Sequence, residues 1–527
     1  MTIARPYIKM LVIINNEGGK PGRHEKIGRG FVYSVGFDND KYLKLQSEKI
    51  LERIGMFENK LYLEFGGKLF DDYHAARVLP GFMPDSKVRL LKMLADKAEI
   101  VIVINASNIE SSKAIGDSGI AYDDDVLRLI DEFRKSGLYV GSVVISQYLG
   151  QSAADNFKDY LEGRGITVYV MHYIAESDYP SNIQLILSDK GYGHNDYIKT
   201  ARPLVVITAP GPGSGKMAAC LSQLYHENKR GVKAGYAKFE TFPLWNRPLK
   251  HMINLAYESA TADLNDVNMI DPFHLEAYGV SAVNYNRDIE VFPILNAMFG
   301  RIWGESPYSS PTDMGVNMVG YCISNEDICS EASKQEIIRR YFNTQNEYAK
   351  GNISKPVASR LELLMNNAGL SPADRPPVTP ALEKAKLTEG PCVAIELPDG
   401  TMVTGKTTPL LGASSAALLN AIKYLAGIDD RVPLISPVVI EPIQKLKVGY
   451  LGNENPRLHT DEVLVALSIC AATNPIAELV IEQLPKLINS EAHSSVMLSQ
   501  VDIGVFRQLG VNMTCEPVYQ IMRMFHG

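Results

Sequence analysis

A glycine-rich turn that ends in a lysine is the segment of this sequence best suited to hold a phosphate. It reads Ala209-Pro-Gly-Pro-Gly-Ser-Gly-Lys-Met217, follows the apolar run 204–208 and precedes a helical pattern at 217–228. Backbone N–H groups in such a turn can surround a phosphate, and the start of a helix adds positive potential. We therefore predict a site for ATP, with Mg²⁺, whose cofactor-binding residues are Gly211, Gly213, Ser214, Gly215 and Lys216.

The turn departs from the Walker pattern G-x-x-x-x-G-K-[ST] at two positions. Pro210 stands where the first glycine belongs, and Met217 replaces the serine or threonine whose hydroxyl normally ligates Mg²⁺. The usual metal arrangement is therefore not expected, and the metal ligands are unknown, with Asp263, Asp266 and Asp271 as candidates. The alternative to a phosphate site is a tight turn between a strand and a helix in which the glycines are incidental.

Lys216, Lys238 and Asp271 are the predicted catalytic residues. Lys216 would contact phosphate, and Lys238, near the end of the next predicted strand, would neutralise charge that develops during transfer. If the two strands are adjacent, Lys238 and Glu240 flank the turn. Over about 40 residues this layout resembles that of dethiobiotin-synthetase-like P-loop enzymes, in which the lysine helps to hold the substrate and phosphates.

Two polar segments supply most of the predicted substrate-binding residues. The first, 64–77, leaves a predicted strand, and the second, 263–317, is rich in asparagine. In open α/β folds the loops beyond the carboxyl ends of the strands form the site, and Asn and Asp make directed bonds. The alternatives are a solvated loop with helix-capping aspartates for the first segment and turn-rich backbone capping for the second. Asn105, which follows the predicted strand at 100–104, is added to the residues of these two segments. The candidates are Lys68, Asp72, His74, Arg77, Asn105, Asn268, His274, Asn286 and Arg287.

A second string, Gly400-Thr-Met-Val-Thr-Gly-Lys-Thr407, satisfies the Walker pattern but stands in the wrong context. Gly400 belongs to a Pro-Asp-Gly hairpin turn, and 401–404 reads as a strand, whereas a phosphate loop must be non-extended. The hairpin and the helix from Ser414 resemble the core of the cytidine-deaminase-like fold. Those deaminases hold zinc through a His or Cys and a P-C-x-x-C pair, which this segment lacks.

Zinc chemistry has little support elsewhere in the sequence. The ten histidines are dispersed, and no H-E-x-x-H motif is present. We therefore expect no zinc cofactor and no zinc protease activity. His493 reads as a structural histidine.

Alternating strands and helices must position these motifs. Strand-like apolar runs at 61–65, 100–104, 139–146, 166–171, 204–208 and 232–239 are separated mainly by helical patterns. Because these strands are continuous apolar runs, they predict an α/β fold with a mainly parallel sheet covered on both faces. The predicted division is a disordered extension at 1–34, an N-terminal α/β domain at 35–240, a helix-rich middle domain at 241–385 and a C-terminal α/β domain at 386–527.

Composition narrows the class of partner. The 527 residues include 53 basic and 60 acidic ones, a formal charge of -7, which lowers the expectation of a nucleic-acid partner. Six scattered cysteines without a C-x-x-C pair favour reduced thiols and a cytoplasmic setting. No apolar run approaches the roughly 18 residues of a membrane span. The expected partner is a small phosphorylated ligand, and a homo-oligomer is expected only from the frequency of such assemblies.

Several strings together resemble a known family. They are Gly36-Phe-Asp-Asn, Tyr62-Leu-Glu-Phe-Gly-Gly-Lys-Leu-Phe-Asp-Asp-Tyr-His-Ala, the turn at 209–217, Asp271-Pro-Phe-His-Leu-Glu-Ala-Tyr-Gly and Pro311-Thr-Asp-Met-Gly-Val-Asn-Met. From about residue 35 onward the chain resembles the bacterial uncharacterised protein family 0371, also called domain of unknown function 1846. The resemblance implies a three-part α/β protein and supplies neither a reaction nor catalytic residues.

The sequence leaves three functions open. The first is an enzyme that binds ATP or another phosphorylated ligand and carries out phosphoryl transfer or ATP-dependent ligation. The second is a non-catalytic sensor or assembly protein for a phosphometabolite, which Met217 favours because loss of the Mg²⁺ hydroxyl harms hydrolysis more than binding. The third is an ATP-independent enzyme, such as a lyase, that acts on a phosphorylated substrate.

Overall fold

A computed structural model describes residues 35–67, 69–70, 72–114, 119–175 and 177–520, with only the backbone of residue 263. The extension predicted at 1–34 and the candidate Lys68 lie outside these residues. No helix within the described ranges is both long and apolar enough to cross a membrane.

Seven parallel strands form the larger sheet, in the order β4-β3-β2-β5-β1-β6-β9. Every residue of β1, β2 and β5 is buried, as expected for strands of a parallel sheet with both faces covered. The sequence prediction of an α/β fold with a parallel sheet is thus confirmed. The strands are β1 Leu61–Phe65, β2 Ala98–Asn105, β3 Tyr139–Tyr148, β4 Thr167–His172, β5 Leu204–Thr208, β6 Gly235–Phe239 and β9 Gly315–Val316, and β7 Asn268–Ile270 pairs with β8 Val283–Tyr285 in a separate hairpin.

Fourteen α-helices lie between residues 39 and 367 in the described part of the chain. Buried apolar side chains from Phe37 to Val378 form one continuous core, so the helices beyond residue 241 pack into the same core as the large sheet. The helices are α1 Asn39–Met56, α2 Tyr73–Val78, α3 Ser86–Met93, α4 Ala106–Glu110, α5 Tyr122–Lys135, α6 Ser152–Gly163, α7 Ile183–Ile186, α8 Lys216–Lys229, α9 Met252–Ala260, α10 Pro272–Tyr278, α11 Asn286–Trp303, α12 Pro311–Met314, α13 Glu326–Ala349 and α14 Lys355–Asn367.

A second, mixed sheet with its own apolar core forms the C-terminal part. Its order is β11-β10-β12-β13, where β10 Cys392–Glu396 pairs antiparallel with both β11 Met402–Lys406 and β12 Glu491–Ser494, and β12 pairs parallel with β13 Asn512–Cys515. The hairpin predicted around Gly400 is confirmed, and its extended strands leave no phosphate loop there. The helices are α15 Val378–Thr388, α16 Ala413–Ala426, α17 Pro437–Lys445, α18 Thr460–Ala471, α19 Pro475–Ile481 and α20 Gln500–Gln508.

The structure does not meet the condition under which Lys238 and Glu240 would flank the turn. The strands β5 and β6, which follow each other in the chain, are not adjacent, because β1 lies between them and pairs with both. Residues from β1 therefore separate the turn after β5 from Lys238 on β6.

Candidate active site at the carboxyl ends of β1, β5 and β6

The order of the strands creates a crevice between β1 and β5. The connection after β1 leads across β5 to β2, whereas the connection after β5 leads across β1 to β6. Because such crossovers are right-handed, connections that leave in opposite directions cover opposite faces of the sheet. The carboxyl ends of the two strands are then left open, which is where ligands bind in open α/β folds.

The turn between β5 and α8 presents a series of free backbone N–H groups at this crevice. Gly213 and Gly215 have φ angles of 77° and 88°, and the intervening Ser214 has a negative φ. Alternation of right- and left-handed backbone conformations points successive N–H groups into a shared concavity that binds anions. Within the described residues, the N–H groups of Gly211 and of 213–218 donate to no acceptor. The turn therefore has the backbone chemistry of a phosphate site.

Side chains behind the turn hold it through its carbonyl oxygens. The Ser146 hydroxyl donates to the Ser214 oxygen at 2.8 Å, and the Ser214 hydroxyl donates to the Gly211 oxygen at 2.9 Å. The Asn105 amide lies 3.4 Å from the Gly213 oxygen. All three bonds use acceptors of the turn, so they fix its shape and leave its N–H donors for a ligand. Ser146 also approaches Gly215 so closely that a Cβ there would lie 2.9 Å from its hydroxyl oxygen.

Lys216, the first residue of α8, places a cation beside these donors. No acceptor or counter-ion among the described residues is within bonding distance of its ammonium group. Burial lowers the pKa of Lys216, Glu64 of β1 opposes this effect, and Lys238 and Arg287 lower the pKa further. A half-buried ammonium without a partner and near two other cations is well placed to bind an anion.

Lys238 belongs to a buried network of carboxylates next to Lys216. Its ammonium lies 2.9 Å from Glu240 and also donates to Asp288, in the first turn of α11. Burial would lower the pKa of Lys238, but the carboxylates of Asp288, Glu240 and Glu64 outweigh that effect and raise it. Lys238 is therefore a firmly charged, already neutralised cation, unlike Lys216.

Glu240 of this network and Asp266 are carboxylates at this edge that have raised pKa values. Burial raises the pKa of Glu240, and nearby Asp288 adds to this rise while Lys238 opposes it. Burial likewise raises the pKa of Asp266, although Arg287, 3.5 Å away, acts against it. Carboxylates with raised pKa values beside a phosphate site are candidates for general acid–base chemistry.

The structure gives other predicted residues helix-capping and packing contacts. Asp271, the N-cap of α10, accepts from the backbone of Phe273 and His274 with one oxygen and from Thr312 with the other. His274 contacts the Ser310 hydroxyl at 2.9 Å. Asp271 is fully buried, and this engaged carboxylate weighs against its predicted catalytic role.

The asparagines of the middle segment also serve the backbone. Asn268 donates to the Asn254 oxygen at 2.8 Å, and Asn286 accepts from the N–H of Val267 at 2.9 Å. Of the predicted substrate residues, Arg287 is near Lys216, and Asn105 reaches the turn itself. The substrate-binding roles of the other residues stay predictions.

A separate buried cluster contains the residues predicted after β1. Asp72 caps α2 and pairs with Lys87 at 2.8 Å. His74 lies 3.0 Å from Glu336 of α13, and Arg77 lies 3.3 Å from the same carboxylate. Burial and then the neighbouring arginines lower the pKa of His74. These side chains tie α2 to α13.

Sequence reasoning missed Glu64 and Asp288 as members of the site. Glu64 is a charged residue inside an otherwise apolar strand, two residues before Gly66, which is a usable signal. Asp288 looked like one of many polar residues of the middle segment. Its role depends on how α11 packs beside β6, which local sequence does not encode.

No cluster of three or more histidine, cysteine, aspartate or glutamate side chains suited to a metal occurs in the described part of the chain. In the C-terminal part, both nitrogens of His493 are occupied, one by Thr514 at 2.9 Å and one by Glu516 at 3.2 Å. This is the arrangement of a structural histidine.

The fold and this edge of the sheet define a class: a multidomain α/β protein whose parallel sheet carries a glycine-rich turn at its switch point. The chain belongs to the family described as domain of unknown function DUF1846. Its N-terminal region matches over residues 35–369 and its C-terminal region over residues 373–525.

Relatives at high identity support this assignment. A UPF0371 protein of Streptococcus thermophilus (strain ATCC BAA-491 / LMD-9) is 57% identical over 489 residues, which cover 93% of this chain and 99% of the relative. The UPF0371 protein SpyM50764 of Streptococcus pyogenes serotype M5 (strain Manfredo) is 57% identical over 492 residues, with the same shares covered. The resemblance noted from the sequence is confirmed.

Proposed function

We propose that this protein is an enzyme that binds ATP or another small phosphorylated ligand at 211–216 and transfers a phosphoryl group or carries out an ATP-dependent ligation. The observation that carries the proposal is the row of N–H groups at 213–217, which face no acceptor within the described residues. Free donors at the start of a 14-residue helix are costly to leave unpaired and suit a phosphate.

The surrounding side chains support a division of labour. Lys216 neutralises phosphate charge, because its ammonium group adjoins the turn and has no partner among the described residues. Lys238 holds Glu240 and Asp288 in place. Glu240, whose pKa is raised mainly by burial, takes the proton from an acceptor hydroxyl as that oxygen attacks the terminal phosphorus of ATP. The bond from that phosphorus to the bridging oxygen breaks, and ADP leaves with the electron pair. Mg²⁺ would supply further charge neutralisation in such a reaction.

A non-catalytic phosphometabolite sensor or assembly protein is the second candidate, and Met217 is the observation that favours it. Met217 stands in the first turn of α8, where a hydroxyl would ligate Mg²⁺ in a Walker loop. Replacing it tests the two candidates. Nucleotide hydrolysis gained in Met217→Thr would indicate a binding protein with a degenerate loop, whereas turnover already present in the wild type would indicate an enzyme.

Two further proposals concern setting and fold. A cytoplasmic location is supported by the thiols, because no disulfide occurs in the described ranges and most cysteines there are buried. A deaminase-like C-terminal part without zinc is supported by the order β11-β10-β12-β13 and by α16 after the hairpin.

Calorimetric titration of ATP, with and without Mg²⁺, tests the site. We expect micromolar binding by the wild type and its loss in Lys216→Ala. Lys233→Ala is the matched control, because Lys233 is an exposed lysine beyond the far end of α8. Binding that survives Lys216→Ala would place the ligand elsewhere, and no binding by the wild type would refute the ATP proposal.

A further inference from the structure

Three aromatic rings meet at the carboxyl ends of β3 and β4. The Tyr148 and His172 rings are 6.0 Å apart in an edge-to-face arrangement, and His172 packs against His194 at 3.9 Å. Tyr148 and His172 are half-buried and His194 is exposed, so the group is accessible from solvent. A hydrogen bond of 2.5 Å from the Tyr148 hydroxyl to Asp155 fixes the tyrosine ring.

This ring cluster, defined as Tyr148, His172 and His194, is directly connected to the glycine-rich turn. Ser146, which bonds the turn at Ser214, precedes Tyr148 by two residues on the same strand. Two residues of chain span at most roughly 7 Å. Tyr148 is therefore within that distance, along the backbone, of the residue that bonds the turn, and the ring cluster and the turn share one edge of the sheet.

The backbone between Ser146 and Tyr148 is shaped to turn the tyrosine. Gln147 has a φ of 52°, in the left-handed region that residues other than glycine rarely adopt. The pairing of β3 with β4 shifts register between Ile145 and Tyr148. The Gln147 amide oxygen accepts from Asn105 at 2.8 Å, and Asn105 also reaches the turn. Irregularities of this kind re-aim a side chain next to a binding site.

We propose that the ring cluster binds the aromatic base of a nucleotide whose phosphates occupy the turn. This proposal rests on the proposed phosphate site and narrows its ligand from any phosphorylated molecule to a nucleotide. Aromatic side chains hold bases by stacking, and such platforms accept every base because each has a π-face.

The opposite side of the turn does not suit a base. There the crevice is lined by Lys238, Glu240 and Asp288, which are buried in mutual ion pairs that a flat apolar ring would disrupt. That side is left for a polar acceptor. The base therefore lies toward β4, and the reacting phosphate faces β6.

The test compares ATP with inorganic triphosphate, which has the phosphates and no base. In the wild type we expect ATP to bind roughly 5- to 150-fold more tightly than inorganic triphosphate, since that is the worth of stacking one base. Tyr148→Ala and His172→Ala should each reduce ATP affinity toward that of inorganic triphosphate and leave the latter unchanged. Tyr148→Phe keeps the ring and should keep most of the ATP affinity.

Tyr139→Ala is the matched control, because Tyr139 is an exposed tyrosine at the opposite end of the same strand. It should bind both ligands as the wild type does. Equal affinity of the wild type for ATP and inorganic triphosphate, or unchanged ATP affinity in Tyr148→Ala and His172→Ala, would overturn the base site. If Lys216→Ala still abolished binding of both ligands, the phosphate site would stand while the base site failed. Binding of neither ligand by the wild type would refute both.

Discussion

Gly213→Ala is expected to weaken binding of ATP and inorganic triphosphate, whereas Gly231→Ala, at the other end of α8, is not. The two glycines are closely matched: each has a φ of 77°, and a Cβ at either would meet no atom within 4 Å. An alanine forced into the left-handed region costs roughly 1–2 kcal/mol relative to a relaxed backbone. The intrinsic penalty is therefore the same in both variants.

Whether that penalty lowers the stability of the protein or its affinity for the ligand depends on the hydrogen bonds that hold each glycine. Gly231 donates to the Asn228 oxygen at 2.9 Å, and the next N–H, of Val232, donates to Glu227 at 3.0 Å. These bonds keep the strained conformation, so the penalty is expressed as lost stability. The N–H of Gly213 makes no bond with the described residues, and its oxygen has only the long 3.4 Å contact with Asn105. The backbone can therefore relax at this one residue while Ser146 and Ser214 hold the rest of the turn, and the penalty is expressed when a ligand requires the original shape.

Calorimetry and thermal unfolding together measure this partition. For Gly213→Ala we expect a roughly 5- to 30-fold loss of affinity, which is 1–2 kcal/mol, with little change in the unfolding midpoint. For Gly231→Ala we expect a lower unfolding midpoint and little change in affinity. A similar loss of affinity in both variants, or an unchanged affinity in Gly213→Ala when Lys216→Ala abolishes binding, would refute the assignment of the turn as the phosphate site.

Three other perturbations have expected outcomes. Affinity for inorganic triphosphate should fall as the pH rises through the lowered pKa of Lys216, and this decline should begin below the pH at which an ordinary lysine deprotonates; titrations between pH 7 and pH 10 would show it. Lys238→Met should destabilise the protein by about 3–5 kcal/mol, because it leaves Asp288 and its neighbouring carboxylate buried without a cation; denaturant unfolding would measure the loss. His459 lies 3.0 Å from Asp502, and this contact raises the pKa of His459 and, against the effect of burial, helps to lower the pKa of Asp502 to about 2. The ion pair is complete between about pH 4 and pH 6.5 and is lost as the pH rises through the raised pKa of the histidine. Asp502→Asn should therefore lower the unfolding midpoint more at pH 5.5 than at pH 9.

The sequence predicts the parallel sheet because its strands leave a local signature. Runs such as Leu204–Thr208 are apolar on both faces, and only burial on both sides of a sheet requires that. The turn after this strand is equally local, since its glycines supply the positive φ angles at 213 and 215. Both features could be predicted from a single segment without knowledge of the rest of the chain.

Strand order has no such local signature, and it determines which residues lie together at the candidate site. The insertion of β1 between β5 and β6 brings Glu64 beside Lys216, and the sequence around either residue does not predict that proximity. Asp271 shows that one local pattern can have two interpretations: the sequence predicts a catalytic carboxylate, a role that stays a prediction, and proline follows it. The same pattern, with proline at the first helical position, is a good start for a helix, and that is how Asp271 is used.

The charge balance of the crevice favours an enzyme over a protein that only holds its ligand. Among the described residues near the turn, carboxylates outnumber cations: Glu64, Glu240, Asp266 and Asp288 against Lys216, Lys238 and Arg287. Carboxylates beside a phosphate repel it, so a site selected for affinity alone would lose them or replace them with amides. Buried carboxylates whose pKa values are raised, as at Glu240 and Asp266, are useful where a proton must be accepted during a reaction. These carboxylates next to an unpaired lysine therefore support the proposed enzyme more than the proposed sensor.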